Sequence, residues 1–280
     1  MLELNHKSVL SLLRDRQPES HKGDYGHILL LCGSKGYTGA AALAAMGALR
    51  SGAGLVYLGV PESIYGIEAV KLTEPIVFPL PDEDGMYSVD AAEQIAKLLP
   101  KMDAVLIGCG MGQSNGALSV LRTVLTQADC PVIVDADGIN LLSGHKDIVR
   151  GRTAPTILTP HMGEFQRMSG QIIQSREKAA RSLAMELGCI ILLKGNRTII
   201  TDGESTYCNP TGNPGMAVGG SGDLLSGIIV SLVGQGLSPL KAAAVGAWLH
   251  GAAGDACAAQ MGQYGMLPTD MLEVLPRLMK

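Results

Sequence analysis

The chain is organised around the stretch Thr211-Gly-Asn-Pro-Gly-Met-Ala-Val-Gly-Gly-Ser-Gly-Asp-Leu-Leu-Ser-Gly227. Its first half is too rich in glycine and proline to form regular structure. From Asp223 onward, apolar residues recur at the spacing of one helix face, at Leu224, Leu225, Ile228, Ile229, Leu232 and Val233. The sequence therefore predicts a flexible loop that leads into a helix N-terminus, with the carboxylate of Asp223 at the junction.

Such a junction is well suited to bind an anion. Glycines let backbone N–H groups turn toward an oxyanion without a Cβ atom in the way, and the first-turn N–H groups of a helix have no partner inside it. The helix dipole adds roughly half a positive charge at the same end. Phosphate is the typical ligand, and Asp223 would be placed to take a proton from a group that attacks it. The alternative is that Asp223 only caps the helix, since Asp is a favoured N-cap residue.

Composition indicates a packed globular core and argues against several function classes. Of the 280 residues, 46% are apolar and 17% are charged, and the formal net charge is −4. This balance does not support binding of nucleic acid or of an anionic membrane surface. Aromatic residues, at 4%, are too few to favour a base-stacking surface. The 36 glycines fall largely at strand–helix junctions and inside Ala-rich helices, which indicates tight loops and close helix packing.

The six cysteines are scattered along the chain and include no C-x-x-C pair. We interpret them as buried thiols of a protein in a reducing compartment, not as a disulfide framework or a zinc site. Residues 1–17 lack the apolar core of a signal peptide, and the longest apolar stretch, residues 224–236, is too short to span a bilayer. A soluble, cytoplasmic protein is expected.

Strand-like and helix-like segments alternate along most of the chain. Apolar runs predict buried strands over residues 27–32, 55–60, 76–78, 104–108, 131–135, 156–159 and 189–194. Helices are predicted over residues 5–13, 40–51, 62–71, 88–99, 116–126 and 175–187, and another begins at residues 136–140. This alternation predicts βαβ crossovers and a mostly parallel sheet.

The pattern changes toward the C-terminal end. Residues 191–201 are typical of two strands about a Gly-Asn turn, and residues 205–208 add a third strand. After the helix that starts near Asp223, a small-residue helix is predicted over residues 238–259, with Pro239 at its first position, and a last helix over residues 267–278. No linker or repeat divides the chain, so one domain over residues 1–280 is expected.

Ligands of open parallel sheets bind outside the carboxyl ends of the strands. The unusual residues of this chain follow strands, in residues 33–40, 108–112, 135–140, 159–164 and 194–198, and we expect these loops to form one polar cleft with the turn at residues 220–223. Two common nucleotide motifs are absent. No segment fits the P-loop pattern, and the glycines of residues 33–39 are spaced G-x-x-G-x-x-G instead of G-x-G-x-x-G.

Four polar residues in these loops each have a structural and a functional interpretation. His161 is either structural or a ligand contact at a strand end. Asp135 and Asp137 either bind magnesium through water or cap the helix that begins beside them, and capping is slightly favoured. Lys194 either touches a phosphate or is a solvated lysine of the hairpin. The local sequence leaves these alternatives open.

Seven segments occur in a recognisable order over residues 20–260: Gly33-Ser-x-Gly-Tyr-Thr-Gly-Ala-Ala41, Arg50-Ser-Gly-Ala-Gly-Leu-Val56, Gly108-x-Gly-Met-Gly112, Val134-Asp-Ala-Asp-Gly-Ile-Asn140, Leu158-Thr-Pro-His-Met-Gly-Glu-Phe165, Leu193-Lys-Gly-Asn-Arg-Thr198 and Asn213-Pro-Gly-Met-Ala-Val-Gly-Gly-Ser-Gly-Asp-Leu-Leu-Ser-Gly227. Taken together, they resemble the ADP/ATP-dependent NAD(P)H-hydrate dehydratases of the ribokinase-like superfamily. Ribokinase-like kinases share the last segment more loosely, whereas the Thr-Pro-His-x-Gly-Glu-Phe and Lys-Gly-x-x-Thr segments narrow the resemblance.

The resemblance implies an α/β protein with a three-layer ribokinase-like fold: a mostly parallel central sheet with helices on both faces and an antiparallel hairpin toward one edge. It also implies a lyase that repairs damaged nicotinamide cofactors. ADP-dependent dehydration of (6S)-NADHX or NADPHX would give NADH or NADPH, AMP and phosphate, through phosphorylation of the C6 hydroxyl and elimination. Because the first predicted strand lies close to residue 1, we do not expect these 280 residues to include the epimerase domain that some family members carry.

The same resemblance implies roles for particular residues. Asp223 would be the catalytic base, and the N–H groups of Gly220, Ser221 and Gly222 would neutralise charge on the phosphoryl oxygens. The hydrated cofactor would contact Ala40, Gly112, His161 and Asp223. The adenine nucleotide would be held by Lys194, Gly195, Asn196, Arg197, Thr198 and Gly222.

The resemblance further implies Mg²⁺, with no direct metal ligand assigned, and ADP (or ATP) as co-substrate. A homo-oligomer, with a homotetramer favoured, and a separate NAD(P)HX epimerase as partner are implied as well. The preferences for ADP or ATP and for NADHX or NADPHX stay open.

Two other functions are also compatible with the sequence. A ribokinase-like small-molecule kinase, acting on a hydroxyl of a small heterocycle or vitamin precursor, would use the same Asp223 and anion site but release a stable phosphoester. A non-catalytic adenine-nucleotide sensor would bind its ligand without turnover.

Overall fold

A ten-stranded sheet forms the centre of the molecule in a computed structural model that describes residues 1–170 and 173–280. The strands are β1 (Leu2–Glu3), β2 (His27–Leu31), β3 (Leu55–Pro61), β4 (Ile76–Leu80), β5 (Asp82–Glu83), β6 (Met86–Tyr87), β7 (Ala104–Ile107), β8 (Val132–Val134), β9 (Thr156–Leu158), β10 (Ile190–Leu193), β11 (Thr198–Thr201) and β12 (Thr206–Asn209). The large sheet has the order β1-β12-β11-β10-β9-β8-β7-β2-β3-β4, and β5 and β6 form a separate small hairpin.

The pairing of the large sheet is mostly parallel, as the sequence predicts. In its described part, only β11 runs antiparallel to its neighbours, β10 and β12. The strands from β10 across to β4 all pair in parallel. Their carboxyl ends therefore meet at one edge of the sheet, and the start of β11 returns to that same edge.

Helices cover both faces of this sheet. They are α1 (His6–Leu10), α2 (Thr38–Arg50), α3 (Glu62–Lys71), α4 (Ala91–Leu98), α5 (Asn115–Gln127), α6 (Asp137–Leu142), α7 (Asp147–Arg150), α8 (Met162–Ser169), α9 (Arg176–Leu187), α10 (Ser221–Gly234), α11 (Pro239–Met261) and α12 (Pro268–Val274). Short 3₁₀ segments cover Lys22–Tyr25, Leu99–Lys101, Pro214–Met216 and Leu275–Met279. Among the described residues, no helix is long and apolar enough to cross a membrane.

The two faces of the sheet carry separate hydrophobic cores. In β2, Ile28 and Leu30 belong to the core that also holds α2, α10, α11 and α12, whereas Leu29 and Leu31 belong to the core that holds α4, α5 and α9. Because successive side chains of a strand point to opposite faces, a strand between two helical layers needs apolar residues at every position. This explains the continuous apolar runs and confirms the three-layer arrangement.

Helix α10 packs against α2 with unusually close backbones. A Cβ atom added at Gly47 of α2 would lie 2.8 Å from the carbonyl oxygen of Leu224 in α10, and one added at Gly227 would overlap the carbonyl oxygen of Ala44. Only residues without a side chain fit at this crossing. The position of α10 is thus set by two glycines of facing helices.

Several element boundaries and short elements differ from the sequence prediction. The last predicted helix ends as an α-helix at Val274 and continues as a 3₁₀ segment, because Pro276 has no N–H group to donate. Helix α8 lies where a loop was expected, since its cap is a histidine and not one of the common N-cap residues. The short elements β1, β5, β6 and α7 were also missed, because two to four residues carry no readable periodicity.

The close crossing of α2 and α10 predicts a different response at two helix glycines. Gly227→Ala should lower the free energy of unfolding by roughly 1–3 kcal/mol, because the added methyl group meets backbone atoms that cannot rotate away. Gly66→Ala on α3 is the matched control: beyond its chain neighbours and its own helix backbone, no atom of the described residues lies within 4 Å of its added Cβ, so stability should rise by about 0.5–1 kcal/mol. Urea denaturation of both variants measures the difference, and equal effects would contradict the crossing as described.

Candidate functional site

Helix α10 begins at the carboxyl edge of the sheet without a side-chain cap. Its N-cap is Gly220, whose φ of 92° lies in the left-handed region that favours glycine. Asp223 is the third helical residue, and Leu224 is the first residue whose N–H bonds back into the helix start, to the carbonyl oxygen of Gly220 at 3.1 Å. The interpretation of Asp223 as the N-cap is therefore wrong.

The start of α10 leaves several N–H groups available to a ligand. In the described part of the chain, no acceptor is found for the N–H groups of Gly220, Gly222 and Asp223, while Ser221 N–H donates to the carbonyl oxygen of Val218 at 3.4 Å. Free first-turn N–H groups together with the helix dipole form an anion site. The predicted donors Gly220 and Gly222 thus have free N–H groups for an anion, whereas the predicted donor Ser221 has its N–H bonded within the preceding loop.

Asp135 lies beneath this turn as a buried carboxylate with three partners. Its Oδ1 accepts a hydrogen bond from Lys194 Nζ at 2.8 Å, and its Oδ2 accepts from Ser226 Oγ at 2.7 Å and from Cys109 Sγ at 3.9 Å. Burial raises the pKa of Asp135, but the Lys194 ammonium and the hydrogen bonds outweigh it, so the pKa is lowered overall. The pKa of Lys194 is lowered by burial and raised more by Asp135 and Glu164. Both shifts keep the pair charged.

These contacts decide two alternatives that the sequence left open. Lys194 is a partly buried ion-pair partner, so the interpretation as a solvated hairpin lysine is wrong. Capping of α6 by an aspartate is also wrong: the N-cap is Ala136, with φ of 48°, and no side chain caps the helix. The carboxylate of Asp137 instead accepts hydrogen bonds from the N–H of Gly112, at 2.9 Å, and from Gln113 Nε2, at 3.2 Å.

The carboxylate of Asp223 lies close to a second negative charge. Ligand atoms of Cys109, Asp135 and Asp223 all lie within 4.8 Å of one another. Burial, and then the charge of Asp135, raise the pKa of Asp223 to about 6, although Cys109 and Lys194 act in the opposite direction. A carboxylate with a pKa near neutrality is a suitable general base, because it is ionised at pH 7 and still holds a proton well.

A cleft of about 940 Å³ opens beside the first turn of α10. Its lining includes seven of the residues that the family resemblance singles out: His161, Lys194, Gly195, Asn196, Thr198, Ser221 and Gly222. The loop at residues 211–219 and the middle of α11 form the opposite wall. The fold therefore brings together the turn after β10, the start of α8 and the start of α10.

Ala40, in the first turn of α2, and Gly112, in the loop after β7, lie on the side of Asp223 where Cys109 approaches it. Of the described residues, the cleft lining includes neither of them. Ala40 packs on the loop after β7, where a Cβ atom added at Gly110 would lie 2.9 Å from its methyl group. The N–H of Gly33, in the loop that leads into α2, donates to the carbonyl oxygen of Cys109 at 2.8 Å, and the Cys109 thiol lies within 4.8 Å of the Asp223 carboxylate.

Arg197 is placed differently from the other residues of its turn. Its side chain is exposed and its Nη2 pairs with Glu3 Oε2 at 2.5 Å, at the edge strand β1. Arg197 is not one of the described residues that line the cleft. Any contribution of Arg197 to the cleft must therefore come from its backbone.

His161 has a structural role and also lines the cleft. Its Nδ1 accepts hydrogen bonds from the N–H groups of Gly163, at 3.0 Å, and Glu164, at 3.2 Å, so the ring caps α8. The carboxylate of Glu164 accepts the N–H of His161 at 2.8 Å in return, which completes a capping box. In a neutral ring this geometry puts the proton on Nε2, which lies 3.4 Å from Oε1 of Glu164.

Two residues of α11 that sequence reasoning missed also shape the cleft. His250 is buried in its wall, and its Nε2 lies 3.3 Å from Ser221 Oγ. Burial lowers the pKa of His250 to about 4, so the ring is neutral at pH 7. Asp255 fixes the loop opposite by accepting hydrogen bonds from Gly212 N–H and Asn213 Nδ2, both at 2.9 Å. A histidine and an aspartate in an Ala-rich helix gave no local signal of these contacts.

A family profile and the similar sequences both match one protein family over most of the chain. The profile of the NAD(P)H-hydrate dehydratase family matches residues 28–277. A bifunctional NAD(P)H-hydrate repair enzyme, Nnr, of Moorella thermoacetica is 44% identical over 277 residues, which are 96% of this chain and 52% of that protein. The chain thus spans about half the length of the bifunctional relatives that it matches.

A shorter relative and a solved structure match nearly end to end. An ADP-dependent (S)-NAD(P)H-hydrate dehydratase of Bacillus subtilis is 36% identical over 280 residues, covering 97% of this chain and 95% of that protein. The structure of an ADP/ATP-dependent NAD(P)H-hydrate dehydratase from Bacillus subtilis, co-crystallised with ATP and Mg²⁺, superposes with a TM-score of 0.84 at 34% identity. That match covers 98% of this chain and 96% of the other, and it confirms the ribokinase-like fold.

Because the pKa of Asp223 is raised in the folded protein, we predict that its ionised carboxylate lowers the stability of the folded state. Between its usual pKa of 3.8 and about 6, the folded state binds the proton more tightly than the unfolded state, so stability falls as the pH rises through this window. Asp223→Asn should therefore stabilise the fold at pH 7.5, by up to about 3 kcal/mol, and should stabilise it less at pH 5.

Denaturant titrations at the two pH values measure this effect. Asp129→Asn is the control, because Asp129 is exposed and should leave stability nearly unchanged at both. An Asp223→Asn variant that is no more stable than the wild type at pH 7.5 would contradict the assigned environment of Asp223.

Proposed function

The chain belongs to the NAD(P)H-hydrate dehydratase family, and from this membership we propose that it restores hydrated NADH or NADPH at the expense of ADP. In the proposed reaction, the C6 hydroxyl of (6S)-NADHX or NADPHX attacks the terminal phosphoryl group of ADP and releases AMP. The ring nitrogen then expels the phosphate, which leaves far more readily than hydroxide would, and the resulting iminium loses a proton from C5 to restore the dihydronicotinamide ring. The products are the reduced cofactor, AMP and phosphate.

A single observation carries this proposal: the first turn of α10 faces two separate regions. Ser221 and Gly222 line the 940 Å³ cleft, whereas Asp223 approaches Cys109, beside the first turn of α2 with Ala40 and the loop with Gly112. We assign the nucleotide to the cleft and the hydrated nicotinamide ring to the other region. Asp223 then lies between the hydroxyl that attacks and the phosphoryl group that is transferred.

The electrostatic environment of Asp223 suits a general base. With a pKa of about 6, its carboxylate is largely ionised at pH 7 and can accept the proton of the C6 hydroxyl as the new O–P bond forms. If the C6 hydroxyl kept its proton, the energy barrier of the attack would be higher, because a neutral hydroxyl is a weak nucleophile. Asp135 contributes indirectly, since its charge helps to raise this pKa.

The charge that develops on the transferred phosphoryl group has nearby donors. The N–H groups of Gly220, Gly222 and Asp223 are free to point at its oxygens, and fixed donors of this kind stabilise a transition state without reorganisation. Lys194 Nζ would lie 3.4 Å from a Cβ atom added at Gly222. We propose that this ammonium group contacts the nucleotide phosphates while Asp135 holds it in place.

The residues at this site are compatible with Mg²⁺ bound mainly through the nucleotide. Magnesium keeps several waters and takes one or two carboxylates besides substrate phosphates. Asp135 and Asp137 supply oxygen donors that would act through water, since both already accept hydrogen bonds from protein groups. The thiol of Cys109 is not a ligand that magnesium prefers, and its hydrogen bond with Cys32, together with burial, raises its pKa. When bound, the ion would neutralise phosphate charge.

The proposal also covers the co-substrate, the partner enzyme, the oligomeric state and the compartment. ADP is favoured over ATP as co-substrate because the Bacillus subtilis relative is named ADP-dependent. A separate NAD(P)HX epimerase would supply the reactive epimer, and relatives named as bifunctional repair enzymes are in keeping with that pairing. We propose a homotetramer in the cytoplasm, where reducing conditions suit six free cysteines.

The activity is tested by incubating the protein with hydrated NADH, Mg²⁺ and ADP. We expect the absorbance of reduced nicotinamide to return, with one AMP and one phosphate released per NADH formed. ATP in place of ADP and hydrated NADPH in place of hydrated NADH measure the two preferences. A stable phosphorylated product that never regains the absorbance would identify a small-molecule kinase instead, and nucleotide binding without any product would identify a sensor.

Asp223→Asn should lower the dehydration rate by about a hundredfold or more while the affinity for ADP stays within a few fold. In the wild type, kcat/KM should fall as the pH drops below about 6, because protonation of Asp223 removes the base. The measurements are steady-state rates from pH 5 to pH 8 and calorimetric titration with ADP. An Asp223→Asn variant with wild-type turnover would refute the assignment, and Asp129→Asn serves again as the exposed control.

A further inference from the structure

Arg176 is the first residue of α9 and lies directly behind the turn at residues 194–198. A cation is disfavoured at this position, because the helix dipole places positive charge at the N-terminus. Burial also lowers the pKa of the guanidinium group. A charged group that faces two unfavourable influences must have partners that compensate for them, and those partners are backbone carbonyl oxygens.

Three carbonyl oxygens accept hydrogen bonds from this guanidinium group. Nη1 of Arg176 donates to the carbonyl oxygen of Asn196 at 2.5 Å, and Nη2 donates to those of Leu193 at 3.1 Å and Lys194 at 3.3 Å. All three acceptors belong to the end of β10 or to the turn that follows it. One planar group thus fixes three peptide units of the cleft wall.

The turn itself has an unusual backbone that needs such support. Gly195 has a φ of 143° and Arg197 a φ of 55°, and the second value is uncommon for a residue with a side chain. A Cβ atom added at Gly195 would lie 2.9 Å from Arg176 Nη2, so the guanidinium group lies flat against the back of the turn. Nothing larger than glycine fits between them.

Peptide geometry then decides what the turn presents to the cleft. The C=O and the following N–H of a trans peptide point in opposite directions. With the carbonyl oxygens of Lys194 and Asn196 held by Arg176, the N–H groups of Gly195 and Arg197 point away from Arg176. Gly195 and Asn196 line the cleft, so those N–H groups are available to a ligand there.

We propose that Arg176 is a positioning residue for nucleotide binding: it draws carbonyl oxygens out of the cleft so that the N–H groups of Gly195 and Arg197 face the anionic nucleotide. This rests on the proposed function only in assigning a nucleotide to the cleft. It also explains how Arg197 contributes although its side chain pairs with Glu3. Without Arg176, the carbonyl oxygens would be free to turn toward the phosphates and repel them.

The same helix supplies a matched control. Arg181 Nε donates to the carbonyl oxygen of Gly203 at 3.1 Å, in the turn between β11 and β12. Arg181 therefore also joins α9 to a turn of the antiparallel hairpins, but this turn is not part of the cleft lining among the described residues. Comparing the two arginines separates an effect on the nucleotide turn from a general loss of packing.

The experiment measures ADP binding by calorimetry for the wild type, Arg176→Met and Arg181→Met. We expect Arg176→Met to weaken ADP binding by about tenfold or more, which corresponds to about 1.4 kcal/mol, and Arg181→Met to change it less than twofold. In turnover assays, the KM for ADP should rise in Arg176→Met while the KM for hydrated NADH stays within twofold. Equal effects of the two variants would overturn the proposal.

Two further measurements separate orientation from charge and from folding. Arg176→Lys should restore little of the affinity, because an ammonium group cannot bind three carbonyl oxygens in one plane; full restoration would overturn the proposal. Millimolar guanidinium ion should partly rescue ADP binding by Arg176→Ala but not change that of Arg181→Ala. Absence of rescue in a folded Arg176→Ala protein would contradict the proposed role.

Binding and turnover also distinguish this proposal from the proposed function. If the wild type binds ADP but does not restore NADH, and Arg176→Met weakens binding, the dehydration proposal fails and the role of Arg176 stands. If the wild type restores NADH and Arg176→Met binds ADP normally, the role of Arg176 fails alone. A wild type that binds no adenine nucleotide overturns both.

Discussion

The buried carboxylate of Asp135 imposes the constraint on which the site depends. A charge removed from water must be paired and hydrogen-bonded, or its burial costs several kcal/mol. Its partners come from three parts of the chain: Lys194 after β10, Ser226 in α10 and Cys109 after β7. Satisfying one carboxylate therefore fixes the relative positions of a strand end, a helix and a loop. The same charge raises the pKa of Asp223, so the group that holds the site together also adjusts the proposed base.

The two helices that start at the cleft are capped in opposite ways, and the difference matches their roles. Helix α8 is closed by side chains, because His161 and Glu164 take up each other's backbone N–H groups. Helix α10 starts at Gly220, which has no side chain to cap it, and its first N–H groups stay open. A serine or aspartate cap at α10 would stabilise the helix by about 1 kcal/mol, but it would occupy the donors that an anion needs.

Much of the fold follows from local patterns, whereas the site depends on contacts that patterns do not encode. Apolar runs located the buried strands and the Gly-Asn turn located the hairpin, since both are set by neighbouring residues. Helix α8 was missed because its cap is a histidine. The Asp135–Lys194 pair joins residues 59 positions apart, and only the order of β8, β9 and β10 in the sheet brings them together. The family resemblance predicted a set of site residues, and the fold shows which of them line the cleft and that Arg197 is not among them.

The crossing of α2 and α10 has a consequence for how sequences of this kind can diverge. Neither Gly47 nor Gly227 touches the cleft, yet a methyl group at either position would push the two helix axes apart. Such a shift would lift Ser226 from Asp135 and carry Asp223 with it, since both residues lie in the first two turns of α10. Substitution at two positions without functional groups would thus disturb the site without touching it. The geometry of the site therefore requires the absence of two methyl groups as well as the presence of its polar side chains.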